Sequence, residues 1–222
     1  MSELDIDVLC SHMYQLSMNQ LRSLEDDNVI PGLRLRDAAD RDEACNRICA
    51  TLESCEPHQE RIRQLAAAYC WLFPRDQSLE WALFILDKNT PPVEDFTLQT
   101  CVATKLSNPN VDLAFVPMSL GRSRFACVIT AEPESDPKDA HVVVGMCAWQ
   151  DLPYLATCLP GGTSATRIEL ILEKILKCKS DDMYIGSYAG IDETLNRIHC
   201  VEADTESDSG SLDVHVGNDY DD

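Results

Sequence analysis

The chain reads as an α+β protein: an N-terminal helical bundle, a small α/β half built from a strand hairpin, a Gly-Gly loop and a helix, and a disordered acidic tail. Three observations predict this. Apolar residues recur at helical spacing up to about residue 106. After Asn110 they give way to short runs rich in Val, Ile, Phe and Cys, as strands do. From Glu202 onward the chain is acidic, with Ser and Gly and few apolar residues, a composition that does not support a core. The boundaries fall at 1–106, 107–201 and 202–222.

In the first part, Ser2-Glu3-Leu4-Asp5 reads as a helix start, and Ile6, Leu9, Met13, Leu16, Leu21 and Leu24 give one apolar stripe. Val29 to Leu35, with Pro31-Gly32, is a connector. Asp37 to Cys55 places Ala44, Cys45, Ile48, Cys49 and Leu52 on one face, and Pro57 stops it. His58 to Phe73 is the next helix, closed by Pro74. Ser78 caps a further helix over Leu79 to Lys88, apolar nearly all round and so buried. Val93 to Leu106 is the last helix of the bundle.

In the second part, Val111–Val116, Arg124–Ala131 and His141–Trp149 are strands. The last two form a hairpin across an acidic, Pro-containing loop. Tyr154 to Leu159 adds a strand that leads into Pro160-Gly161-Gly162-Thr163-Ser164-Ala165-Thr166. Arg167 to Lys179 is a helix with Ile168, Ile171, Leu172, Ile175 and Leu176 on one side. Either Ser164 or Thr166 can cap it, and Thr166 with Glu169 matches a capping box. Met183 to Tyr188 is a short strand, and Ile191 to Cys200 a short helix.

Charge narrows the function classes. The sequence holds 38 acids against 18 bases, a formal net charge of −20 over 222 residues. Such a field repels phosphate backbones and anionic lipid, so neither direct nucleic-acid binding nor a membrane-surface role is expected. The expected partner is another protein with a basic surface. The 11 cysteines are odd in number and lie mostly among apolar neighbours, without a signal-peptide pattern, membrane span or Asn-X-Ser/Thr sequon. Most therefore read as small buried hydrophobes kept reduced, which places the protein in the cytoplasm or nucleus.

Four groups of residues are candidate sites. Backbone N–H groups of Gly161, Gly162, Thr163 and Ser164, entering a helix, are suited to hold an anion. The order of strand, hairpin, strand, Gly-Gly loop, helix, strand and helix over about residues 124–200 resembles the middle of GNAT acyltransferases. In that family a Gln/Arg-x-x-Gly-x-Gly/Ala loop binds the coenzyme A pyrophosphate. Here Leu159 stands at the Gln or Arg, Gly162 fits, and Ser164 replaces the last small residue. The same layout, with Leu159-Pro160-Gly161-Gly162 ahead of a helix, is also similar to ornithine decarboxylase antizyme, which shares that fold but binds an enzyme.

Cys45, Cys49, Cys55 and His58 have the ligand types of a Cys3His zinc site, although Cys45 and Cys49 are in step with Ile48 and Leu52 on an apolar face. In the tail, Thr205 precedes Asp208 by three residues, a setting acidophilic kinases favour. Asp208-Ser209-Gly210-Ser211-Leu212-Asp213 resembles the Asp-Ser-Gly-x-x-Ser degron, with Asp213 in the final Ser position, so Thr205 and Ser209 are candidate phosphorylation sites.

No Gly-x-Ser-x-Gly, His-Glu-x-x-His or Gly-x4-Gly-Lys pattern occurs. His12, His58, His141, His199 and His215 are scattered and read as surface or packing residues. No catalytic residue and no cofactor is assigned. The expected function is that of a non-catalytic regulatory protein acting by protein–protein binding, of cellular or of viral regulatory or matrix type. The alternative is GNAT-like or antizyme-like use of the Gly161-Gly162 loop.

Overall fold

A computed structural model describes residues 3–86, 113–131, 141–161 and 184–208. These form a mixed α and β arrangement of five helices and one six-stranded antiparallel sheet. Helices α1 (Glu3–Met13), α2 (Met18–Asp26), α3 (Arg41–Glu53) and α4 (His58–Leu72) come first. The strands are β1 (Glu80–Ile85), β2 (Leu113–Leu120), β3 (Ser123–Ala131), β4 (His141–Trp149), β5 (Tyr154–Cys158) and β6 (Tyr184–Ala189), followed by α5 (Gly190–Asp208). The sheet order is β2-β3-β4-β5-β1-β6.

Local chemistry explains where the helices begin. The predicted first stripe is split in two, because Ser17 opens α2 with a capping box. Its hydroxyl accepts the Gln20 N–H at 3.3 Å, while Gln20 Oε1 accepts the Ser17 N–H at 2.9 Å. Asp40 caps α3 by accepting the Glu43 N–H at 2.9 Å, and Glu43 reaches back to the Ala39 N–H at 2.8 Å. At the far end of α2, Asp27 accepts the Trp71 indole N–H at 2.8 Å. Arg75 lies over that ring at 4.2 Å, which joins α2 to α4.

The strands predicted after residue 110 are all present within a few residues. One helix is not. Leu79 to Lys88, expected as a buried helix, instead contains strand β1, which pairs antiparallel with both β5 and β6. A continuous apolar run fits a strand buried on both faces as well as it fits a core helix. Trp81, Phe84 and Ile85 tilt the preference toward the sheet. Strand β1 belongs by sequence to the predicted helical half, yet it sits in the sheet made by the second half. The predicted helix over 93–106 lies outside the described residues, as does the glycine-loop helix over 167–179.

One face of the sheet packs on the helices. Phe125, Cys127, Ile129, Cys147, Ala156 and Leu83 share a core with Ile48, Leu65, Tyr69 and Phe73, and α4 lies across β2, β3 and β4. Phe73 meets Trp81 edge-on at 5.7 Å, and Trp81 meets Phe125 likewise at 6.4 Å. The alternate residues Val128, Val144, Met146 and Leu155 point the other way and are buried as well. Trp71, Trp81 and Trp149 are all buried, as expected of core anchors.

On the first face, Gly145 lies against Phe73, the residue that ends α4. A side chain there would meet the Phe73 ring at 2.7 Å and also the Cys158 sulfur, so β4 reaches this contact only through a residue without Cβ. Pro117 stands on β2, an end strand of the six, where a missing N–H is tolerated.

Helix α5 packs on β6 and β1 and runs through Asp208. Residues 202–208, expected to be disordered, are thus helical; the rest of the predicted tail lies outside the described residues. None of the described helices is long and apolar enough to cross a membrane.

Candidate functional site

The described residue that meets the glycine loop from furthest away in sequence is His12, in the last turn of α1. Its Nδ1 lies 2.8 Å from Asp76 Oδ2, and its Nε2 lies 3.1 Å from the carbonyl oxygen of Pro160. Asp76 sits in the turn between α4 and β1 and is 2% exposed. Its other oxygen accepts the Ser78 N–H at 2.8 Å and the Ser78 hydroxyl at 2.6 Å, the Asx-turn arrangement that shapes this corner. Pro160 follows the end of β5 and precedes Gly161. Three segments far apart in sequence therefore meet on one imidazole.

Partner chemistry fixes the protonation. A carbonyl oxygen can only accept, and an ionised carboxylate can only accept. An imidazole that bonds both must donate from both nitrogens, and only the imidazolium does so. The shifts agree. The hydrogen bond to Asp76 holds the His12 pKa above its ordinary value against the effect of burial, with help from the Pro160 carbonyl. Burial works to raise the Asp76 carboxyl, but the bonds from His12 and Ser78 outweigh it and hold it below its ordinary value. The end of α1 adds its partial negative charge on the same side of the balance.

Chemically this is an anchor. Both ring nitrogens are engaged by the chain itself, so neither faces a substrate proton. The neighbouring thiol of Cys158 is fully buried; desolvation raises it well above the usual thiol range, and the nearby Asp76 charge adds to that. Cys127 and Cys147 are likewise raised by burial, and Cys70 is pushed up to about 12. These interior cysteines, one on α4 and three in the sheet, are thus packing residues without thiolate character.

Of the loop residues, Gly161 has no atom of the described residues, its chain neighbours aside, within 4 Å of where a Cβ would lie. Gly162, Thr163 and Ser164 lie outside the described residues. The four residues proposed for zinc do not assemble. Cys45 and Cys49 lie on α3, Cys55 follows it, and His58 opens α4. Cys49 is instead joined to Cys10 of α1 as a disulfide. Among the described residues no group of three or more His, Cys, Asp or Glu side chains is placed to hold a metal ion. Thr205 lies on α5, and Ser209 is outside the described residues.

A concavity of about 420 Å³ lies between the end of α2 and the 28–37 connector. Both arginines of its lining pair with acids of the same lining. Arg36 bonds Asp26 at 2.8 Å, and Glu25 accepts the Leu35 and Arg36 N–H groups at 2.6 and 2.9 Å.

His12 was not singled out by the sequence, because its partners are 64 and 148 residues away and no spacing rule connects them. The Asp76-x-Ser78 pair did carry a local turn signal. Compared with models of known protein families and with curated proteins, the chain matches none.

Proposed function

We propose that this chain is a non-catalytic acidic regulatory protein that works by binding another protein through a basic surface on that partner. The observation that carries the reading is how its own cations are used. Arg34, Arg36, Arg47, Arg61, Arg63, Arg75 and Arg122 each lie within 4.0 Å of a carboxylate of the same chain. Against a formal charge of −20, each of these cations is offset by an acid of the same chain, which leaves the excess acid unneutralised. Helix α5 adds to that field. Its last turn has no basic residue, while Asp204, Glu206 and Asp208 fall at the end where the helix dipole is already negative. A cationic partner relieves that repulsion. The engagement of the His12 and Asp76 pair within the fold supports the same reading.

Affinity capture with the full chain, followed by mass measurement of the eluted complex, tests it. A stoichiometric protein partner with a basic surface is expected. A monomer that retains no protein overturns the reading.

A second reading, GNAT-like or antizyme-like use of the Gly161-Gly162 loop, draws on the fixed entry at Pro160 and on Gly161, which no other described residue crowds. If coenzyme A binds the native state, a hundredfold excess over Kd stabilises it by about 2.7 kcal/mol. Thermal unfolding with and without coenzyme A separates the readings, since the regulatory reading expects no shift.

A further inference from the structure

We propose that Cys10 and Cys49 form a reversible thiol–disulfide modification site, with Cys45 as the alternative partner of Cys10, that sets how firmly α1 is held to α3. The pair joins residues 39 apart in sequence and lies at the junction of the two helices. Cys45 is one turn before Cys49 on α3. Its sulfur lies 4.0 Å from the Cys10 carbonyl oxygen, and the Cys10 sulfur lies 3.9 Å from the Cys45 carbonyl oxygen. Cys10 therefore lies beside two cysteines of α3, bridged to one and within 4.0 Å of the backbone of the other.

The placement favours exchange over a permanent crosslink. Cys10 and Cys49 are half-buried, within reach of a small disulfide or dithiol. Cys70 on α4 and the sheet cysteines Cys127, Cys147 and Cys158 are buried free thiols, so the same oxidant does not reach them. Burial and the nearby Asp42 charge raise the Cys45 thiol, which keeps it the slower competitor for Cys10.

With glutathione disulfide as oxidant, one protein thiolate attacks a glutathione sulfur and releases one glutathione. The second thiolate then attacks the mixed disulfide and releases the other. Two protein thiols have lost two electrons and two protons, and one glutathione disulfide has become two glutathione molecules. A dithiol reductant reverses the sequence. Helix α1 also carries His12, so the bridge and the His12 anchor hold the same end of that helix to α3 and to Pro160.

The test uses the full native chain in buffers of set glutathione to glutathione disulfide ratio. Remaining thiols are blocked by alkylation, and linked peptides are identified by mass spectrometry. A Cys10–Cys49 link is expected to appear with glutathione disulfide and to disappear with dithiothreitol, while Cys70, Cys127, Cys147 and Cys158 alkylate only after denaturation. In Cys49→Ser a Cys10–Cys45 link replaces it; in Cys45→Ser the Cys10–Cys49 link persists. Amide exchange in residues 3–13 is expected to quicken at least about tenfold on reduction, as when a crosslink closing a loop of this length opens. Absence of the link at every ratio, resistance of the link to dithiothreitol in the native chain, or equal exchange in both forms overturns the proposal. If Cys49→Ser does not fold, the wild-type linkage and exchange measurements still decide it.

Discussion

Removing the imidazole of His12 strips Asp76 of the donor to one oxygen while the carboxylate stays 2% exposed. Breaking a buried pair by deleting one partner typically costs about 3–5 kcal/mol. Two features reduce that here. Asp76 keeps both bonds from Ser78, and His12 is itself 19% exposed, so water takes up part of the lost interaction. His12→Ala is therefore expected to cost about 2–3 kcal/mol near pH 6. A double-mutant cycle with Asp76→Asn isolates the pair, with an expected coupling of about 1–2 kcal/mol.

The pH dependence has a definite sign. The folded-state pKa of His12 is raised above its ordinary value of 6.5. The contribution is thus fully present below 6.5 and is lost as pH rises through the folded value. Neutral imidazole has one N–H to give, and the carboxylate outcompetes the carbonyl for it, so Pro160 is the contact released. Urea unfolding followed by the fluorescence of buried Trp71 and Trp81 measures the cycle, and amide exchange at residues 158–161 reports the release. A coupling near zero at about pH 5.5, or one unchanged up to about pH 9, refutes the assignment of an imidazolium to this site.

Three further outcomes follow from the same structure. Gly145→Ala forces a methyl to within 2.7 Å of the Phe73 ring and against the Cys158 sulfur. It is expected to destabilise by about 2–3 kcal/mol in urea unfolding, with part of the loss recovered in a Phe73→Leu background. Gly190→Ala is expected to lower the melting temperature, since φ is +71° and the new Cβ would come within 3.0 Å of the Gln77 Cα. On the acid side, Asp76 contributes stability that is present above its ordinary value of 3.8 and lost as pH falls through its lower folded value. Asp76→Asn is expected to flatten that limb of an acid-unfolding curve.

Much of the secondary structure is legible in the residues. Pro57 and Pro74 bracket α4, and the Val- and Cys-rich runs after residue 110 mark their strands within a few positions, whereas α3 starts at Arg41 behind the Asp40 cap and not at Asp37. Strand β1 is not, because Trp81 to Leu86 offers no period, and only its place between β5 and β6 explains why both of its faces are apolar. The break between α1 and α2 turns on one hydroxyl, Ser17, inside an otherwise unbroken stripe. Helix α5 extends past Cys200 through a stretch whose composition alone argues for disorder. The candidate site is the least legible part. His12, Asp76 and Pro160 are brought together only by the packing of α1 and α4 against the sheet, and Cys10 is brought to Cys49 in the same way. Cysteine spacing suggested Cys49 with Cys45, Cys55 and His58 because spacing sees neighbours along the chain; Cys10, from the preceding helix, is invisible to it.

The measurement closest to the central claim is capture of a protein partner by the full chain at two ionic strengths, about 50 mM and about 500 mM. Binding through an acidic face predicts a stoichiometric partner held at the lower salt and largely released at the higher. A partner retained equally at both, or none at either, would contradict it.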